Sequence, residues 1–148
     1  MERKNAGFTL IEIMIVVMIV GLLMATLATQ LIGRAQQAQV DIAGTQLRQL
    51  EQALELYKLD NGRYPSSDQG LQALVDEPSG DPVPRRWSPG GYAKRDQIQD
   101  PWGMPYKYRS PGDNNARTFD LFSYGPDGQE GGEEENADIV NWDTGTLQ

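Results

Sequence analysis

The sequence predicts an α+β fold: a long N-terminal helix, its first half membrane-embedded and its second half the spine of a soluble domain, packed against a small antiparallel sheet. Three observations predict it. Residues 13–33 carry no charged side chain and are largely apolar. Ala43, Leu47, Leu50, Leu54 and Tyr57 then recur at spacings of four, three, four and three, which places them on one stripe of a helix. Beyond Gly62 the chain breaks into short alternating segments separated by clusters of proline, glycine and asparagine, the pattern of short strands and turns.

The uncharged run of 21 residues would extend roughly 30 Å as a helix, the thickness of a bilayer's hydrocarbon core. Ahead of it lies a leader, residues 1–7, whose Arg3 and Lys4 would hold the N-terminus on the cytoplasmic side. Glu12 stands at the edge of the apolar run, where a carboxylate costs up to a few kcal/mol to desolvate and so calls for a partner. An ordinary secretory signal also has a basic start and an apolar core, but that core usually spans about 7–15 residues and ends in an A-x-A-like site. Ala25 and Ala28 are spaced wrongly for one. A plain single-span anchor accounts for the length and leaves Glu12 without a role, and a buried soluble helix would need apolar partners on every face.

From Arg34 to Asp60 no proline interrupts the helical signals, and Arg48, Gln49, Glu51, Gln52, Glu55 and Lys58 fall off the apolar stripe. Leu59-Asp60-Asn61-Gly62 reads as a helix stop, with Gly62 at the left-handed cap and Pro65 preventing resumption. One helix of about fifty residues is therefore expected, with Gly44 costing about 1 kcal/mol relative to alanine. A serine or aspartate cap at residues 66–68, then Leu71, Leu74 and Val75, reads as a short helix laid on the spine. Residues 77–91 form a proline- and glycine-rich loop, and Trp87 and Tyr92 need cover. Asp100-Pro101-Trp102-Gly103 is a turn; residues 106–109 and 118–124 are strand candidates forming a hairpin with a long connection, and residues 138–142 a third strand.

Composition bounds the function. The 115 or so residues after the apolar run suffice for one compact domain. The mean hydropathy is negative despite that run, so the remainder is water-soluble. With no cysteine and no histidine, the chain lacks a disulfide framework, a thiolate nucleophile, the commonest general base and the commonest zinc ligand. A net charge of −8 argues against nucleic acid as a partner. The acids concentrate late: residues 118–148 hold eight of them and no lysine or arginine. Within that stretch, residues 125–138 form a glycine-rich loop that reads either as a solvated acidic loop or as a site for a hard cation, which takes about six to eight oxygens. It does not follow the EF-hand pattern. Trp87, Trp102 and Trp142 read as core or turn-packing residues before a carbohydrate platform.

Gly7-Phe8-Thr9-Leu10-Ile11-Glu12 resembles the processing motif of the type IV pilin and pseudopilin superfamily. The resemblance implies a prepilin peptidase cut between Gly7 and Phe8, N-methylation of Phe8, and a pairing of Glu12 with the N-terminal amine of a neighbouring subunit. Tyr64-Pro65, residues 69–74, Gly91-Tyr92, Asp100-Pro101-Trp102-Gly103, Tyr106, Ser110-Pro111-Gly112, Asp127-Gly128 and residues 138–142, in that order, resemble the major pseudopilins of bacterial type II secretion systems. Met104 departs from the asparagine of many members.

The resemblance implies a pilin-like fold with residues 1–7 as leader, 8–33 as transmembrane and assembly helix, and 34–148 as periplasmic domain. It also implies a structural calcium, with Asp127 and Asp138 as side-chain ligands and the backbone oxygens of Tyr124 and Gln129 as partners. Ala137 stands where some members have an acid, which leaves Asn136, or one of Glu133 to Glu135, as a substitute. The implied setting is an inner-membrane subunit that polymerises with copies of itself and with minor pseudopilins into a periplasmic filament. A cytoplasmic ATPase and an inner-membrane platform drive that assembly, which helps export folded proteins through an outer-membrane secretin. A type IV pilus subunit for attachment or motility shares the N-terminal features, but the C-terminal cysteine pair common in that group is missing. A membrane-anchored periplasmic enzyme would depend on carboxylate or serine–lysine chemistry, for which no motif is present. No enzymatic activity is expected.

Overall fold

The computed structural model describes residues 8–133 and 136–142, apart from the side chains of 26–32. Expectations that fall on the leader, including Gly7, and on Glu134 and Glu135 lie outside the described residues. The chain divides into two compact units, Met1–Gln36 and Gln37–Gln148. The helix α1 spans Leu10–Asn61, 52 residues, close to the length expected. It ends where glycine can turn left-handed: Gly62 has φ 75°, and its N–H donates to the Lys58 carbonyl at 2.6 Å.

In the first unit the large apolar side chains from Phe8 to Met24 are exposed among the described residues, from 44 % at Val20 to 81 % at Leu10. Among the described residues no helix is long and apolar enough to cross a membrane. The span expected at residues 13–33 lies partly outside the description, because it includes 26–32.

In the second unit the expected stripe is the core. Ala43, Leu47, Leu50, Leu54 and Tyr57 are all buried, and Leu71, Ala73, Leu74, Tyr106, Phe119 and Leu121 are buried with them. Leu71–Leu74 forms a four-residue 3-10 turn in place of a short α-helix. The serine box closes one turn too early to cap it: Ser66 N–H donates to Gln69 Oε1 at 3.1 Å and Gln69 N–H to Ser66 Oγ at 3.2 Å. Gly70, without a side chain to cap with, occupies the cap position. Its register still delivers Leu71 and Leu74 to the spine.

The sheet comprises β1 (Lys107–Arg109), β2 (Asp120–Ser123) and β3 (Ile139–Val140), antiparallel in the order β1-β2-β3. Tyr108 pairs with Leu121 and Ser123 with Ile139. All three strands are shorter than expected, and their ends are held by other bonds: Tyr106 N–H donates to the Ile98 carbonyl at 3.1 Å and Asn141 N–H to the Leu121 carbonyl at 3.0 Å. Tyr106 turns into the core, its hydroxyl donating to the Ala43 carbonyl at 3.1 Å. Asn141 continues β3 with its amide: Oδ1 accepts Leu121 N–H at 2.9 Å and Nδ2 donates to the Phe119 carbonyl at 3.2 Å. Tyr124 leaves β2 to begin a 3-10 turn at Gly125–Asp127.

The proline-rich loop is tied down at its aromatics. Trp87 Nε1 donates to the Ala73 carbonyl at 3.0 Å and Tyr92 donates to Asp60 Oδ2 at 2.8 Å. Asn61, 2 % exposed, accepts Arg86 N–H at 3.0 Å. Trp142 packs edge-on against Phe122, centroids 5.4 Å apart. Among the described residues one core group is left over: the Tyr57 hydroxyl is buried with no hydrogen-bond partner there, and that burial pushes its pKa up, partly offset by Arg63. Because a buried unpaired hydroxyl costs about 1–3 kcal/mol, Tyr57→Phe is expected to raise stability by about 1 kcal/mol, read as a higher midpoint in denaturant. A lower midpoint would mean the hydroxyl is satisfied.

Candidate functional site

Two places carry the sequence-derived site residues. The first is the start of α1. Phe8 is 78 % exposed, and Glu12 has a partner within its own chain that the sequence reading did not assign. Glu12 N–H donates to Thr9 Oγ1 at 3.3 Å, and Thr9 N–H donates to Glu12 Oε2 at 3.4 Å. This is a capping box, which satisfies two of the orphan donors at a helix start and sets a carboxylate against the positive end of the helix dipole. Its sequence signal, threonine with glutamate three residues on, was present. Both bonds are long, so Glu12 is held locally but weakly.

The second place is the acidic loop between β2 and β3. Tyr124, Glu130 and Asp138 line a hollow of about 380 Å³ together with Lys107 and Trp142, and Lys107 Nζ stands 5.8 Å from the centre of the Tyr124 ring. Asp138 is half used: Oδ2 accepts Gly131 N–H at 2.9 Å, while Oδ1 is buried and accepts nothing from the described residues. A buried carboxylate oxygen without a donor is costly in a protein interior and suits a hard cation that collects oxygens. The loop also packs its own backbone tightly. Gly132 passes so close to the Asn136 carbonyl that any Cβ there would collide with it, and the Ala137 carbonyl lies 3.4 Å from where a Cβ on Gly125 would be.

Of the expected ligands, Asp138 and Tyr124 are brought to this hollow. Asp127 does not line it and accepts Gln129 N–H at 3.1 Å within its own turn. Asn136 is exposed, and its N–H donates to the Glu133 carbonyl at 3.1 Å. Among the described residues no three acidic side chains converge as a metal-binding group. What the residues present offer a cation is chiefly Asp138 Oδ1, with Tyr124 and Glu130 beside it in the hollow. Sequence reasoning missed Asp100 and Ser123, buried polar residues beneath the loop. The only signal was an aspartate opening a turn.

Known proteins resemble this chain over nearly its whole length. The family model "Type II secretion system (T2SS), protein G" matches residues 30–142 and the "Prokaryotic N-terminal methylation motif" matches residues 3–28. The chain is 50 % identical over 142 residues to the type II secretion system core protein G of Pseudomonas aeruginosa, covering 96 % of this chain and 98 % of the relative. It is 49 % identical over 146 residues to that of Vibrio cholerae, covering 99 % and 97 %. The crystal structure of the major pseudopilin from the type 2 secretion system of enterohaemorrhagic Escherichia coli aligns with TM-score 0.63 at 42 % identity, covering 76 % of this chain and 93 % of that one. A match that runs from the methylation motif through the helix and sheet to residue 142 leaves one assignment: the chain belongs to the type II secretion system protein G family.

Proposed function

We propose that this chain, a type II secretion pseudopilin by family, is the major subunit of a periplasmic filament that helps export folded proteins across the outer membrane. The observation that carries this reading is the exposure of the whole apolar start of α1, from Phe8 to Met24, on a helix whose second half is the core's spine. Such a surface calls for lipid before assembly and for other copies of itself afterwards, and contacts that do not close on themselves generate filaments. In this reading residues 1–7 are a cytoplasmic leader, 8–33 the inner-membrane and assembly segment, and 34–148 the periplasmic domain. Partners are further copies, minor pseudopilins, the assembly platform and the prepilin peptidase.

Cleavage after Gly7 frees a cationic amine on Phe8, and an acid near the membrane gains by pairing with it. Glu12 supplies that acid. Its bonds to Thr9, at 3.3 and 3.4 Å, are weak enough to exchange for the amine of the neighbouring subunit.

We assign a structural calcium to the acidic loop, held by Asp138 with the Tyr124 and Gln129 carbonyls; Asp127 and Asn136, which stand outside the hollow, would have to turn inward to join them. Bound there, the ion would supply positive charge that offsets the repulsion of the loop's carboxylates. The support is the unpaired, buried Asp138 Oδ1.

Filaments recovered from a host with the full secretion apparatus test the assembly reading. Wild-type subunits are expected to begin at Phe8 and to carry one extra methyl by intact mass. Glu12→Ala subunits are expected to be processed and to remain in the membrane. Normal filament yield from Glu12→Ala, or a subunit mass beginning at Met1, would defeat the proposed mechanism.

A further inference from the structure

Beneath the acidic loop lie two buried polar residues that the assembly mechanism does not use. Asp100 is 6 % exposed and Ser123 is 1 % exposed. Ser123 Oγ donates to Asp100 Oδ2 at 2.6 Å and accepts Gly125 N–H at 3.1 Å, so the hydroxyl is engaged in both directions. The residue it brackets is Tyr124, held at φ −78° and ψ 8°, whose carbonyl is one of the proposed calcium oxygens.

Asp100 is fixed in turn. Its Oδ1 accepts Trp102 N–H at 3.1 Å and Met104 N–H at 2.8 Å, and its own N–H donates to the Met104 carbonyl at 2.8 Å. The same turn meets the loop a second time, because Met104 Sδ lies 2.9 Å from where a Cβ on Gly128 would stand. Asp100, Met104, Tyr124 and Gly128 line the hollow of about 140 Å³ between turn and loop. A buried carboxylate and hydroxyl are costly unless every lone pair and proton is placed; here three bonds close the turn on Asp100, and the Ser123 hydroxyl alone relays from Asp100 to the Gly125 N–H that opens the loop.

We propose that Asp100 and Ser123 are positioning residues for the calcium loop, fixing the direction of the Tyr124 carbonyl without touching the ion; this rests on the calcium reading above. The turn at residues 100–104 is then the buttress of the site, and calcium affinity depends on it although it donates no ligand. Partners that orient ligands in this way change metal affinity by about 10–100-fold when removed.

Calcium titrated calorimetrically into the full chain in detergent micelles tests this, with melting of the calcium-free protein measured alongside. Ser123→Ala and Asp100→Asn are expected to weaken the calcium dissociation constant by about 10–100-fold. Leu71→Ala, which removes a core contact away from the loop, is expected to lower the calcium-free melting temperature and leave the dissociation constant unchanged. Asp100→Asn keeps the outline of the side chain and carries the test if Ser123→Ala does not fold. Wild-type affinity in both variants overturns the positioning role while leaving the calcium site standing. Equal loss of affinity in Leu71→Ala also overturns it, because general destabilisation would then suffice. A wild-type chain that takes up no calcium overturns the calcium reading and this inference together.

Discussion

Leu54→Ala is expected to lower the unfolding free energy of the soluble unit by about 2–5 kcal/mol, against about 5–15 kcal/mol for a whole domain. Leu54 is fully buried on the spine of α1, in one cluster with Leu50, Tyr57, Leu74 and Leu121. Its neighbours come from the helix, the 3-10 turn and β2, so no single element can shift to refill the space. The cost is therefore the lost transfer of the side chain plus most of the cavity term. Leu56, two residues on and 55 % exposed, is the control: Leu56→Ala is expected to stay within about 0.5 kcal/mol of wild type. Denaturant unfolding of both variants, followed by tryptophan fluorescence, checks the pair. Equal midpoints would show that the stripe is not the core.

That contrast was already present in the sequence, because helical periodicity separates Leu54 from Leu56 without any knowledge of what covers them. Ala43, Leu47, Leu50, Leu54 and Tyr57 repeat every three or four residues, and all five are buried. The end of α1 was legible for a similar reason, since Gly62 is a residue type selected by backbone geometry. What periodicity could not supply was the work of single polar side chains. Asn141 clamps the end of β3 to β2 with its side-chain amide as well as its N–H, where pattern alone reads a strand of five residues. Ser66 and Gln69 close on each other and displace the expected cap from the segment at Leu71–Leu74. Thr9 and Glu12 form a local pattern that was readable, yet the charge of Glu12 drew attention to an external partner. For the acidic loop, composition left a solvated loop and a cation site both open, and it does not say which oxygens are left without donors. That depends on which N–H groups the folded loop presents to Asp127 and Asp138.

Asp120→Ala is expected to cost about 3 kcal/mol, because it orphans several N–H groups at once, each worth about 1–3 kcal/mol when buried and unpaired. The Asp120 carboxylate, 3 % exposed at the start of β2, accepts Asn114 N–H at 2.8 Å and Asn114 Nδ2 at 3.1 Å on Oδ2, and Asn115 N–H at 2.8 Å on Oδ1. The connection from β1 is wrapped around it so closely that a Cβ on Gly112 would lie 2.7 Å from its Cγ. Burial by itself pushes this carboxyl's pKa up, but the donors of Asn114, Asn115 and Asp113 together outweigh burial and hold it below its ordinary value of 3.8. Between the folded and unfolded pKa values the unfolded chain binds the extra proton, so stability rises with pH there. The contribution is complete above the unfolded value and is lost as pH falls through the folded one. Asp120→Asn keeps the shape and removes the titration. The gap in melting temperature between wild type and Asp120→Asn is therefore expected to be widest at about pH 7 and to narrow below about pH 4. A gap that stays constant into strong acid would show that the loop is held by the outline of the side chain and not by its charge.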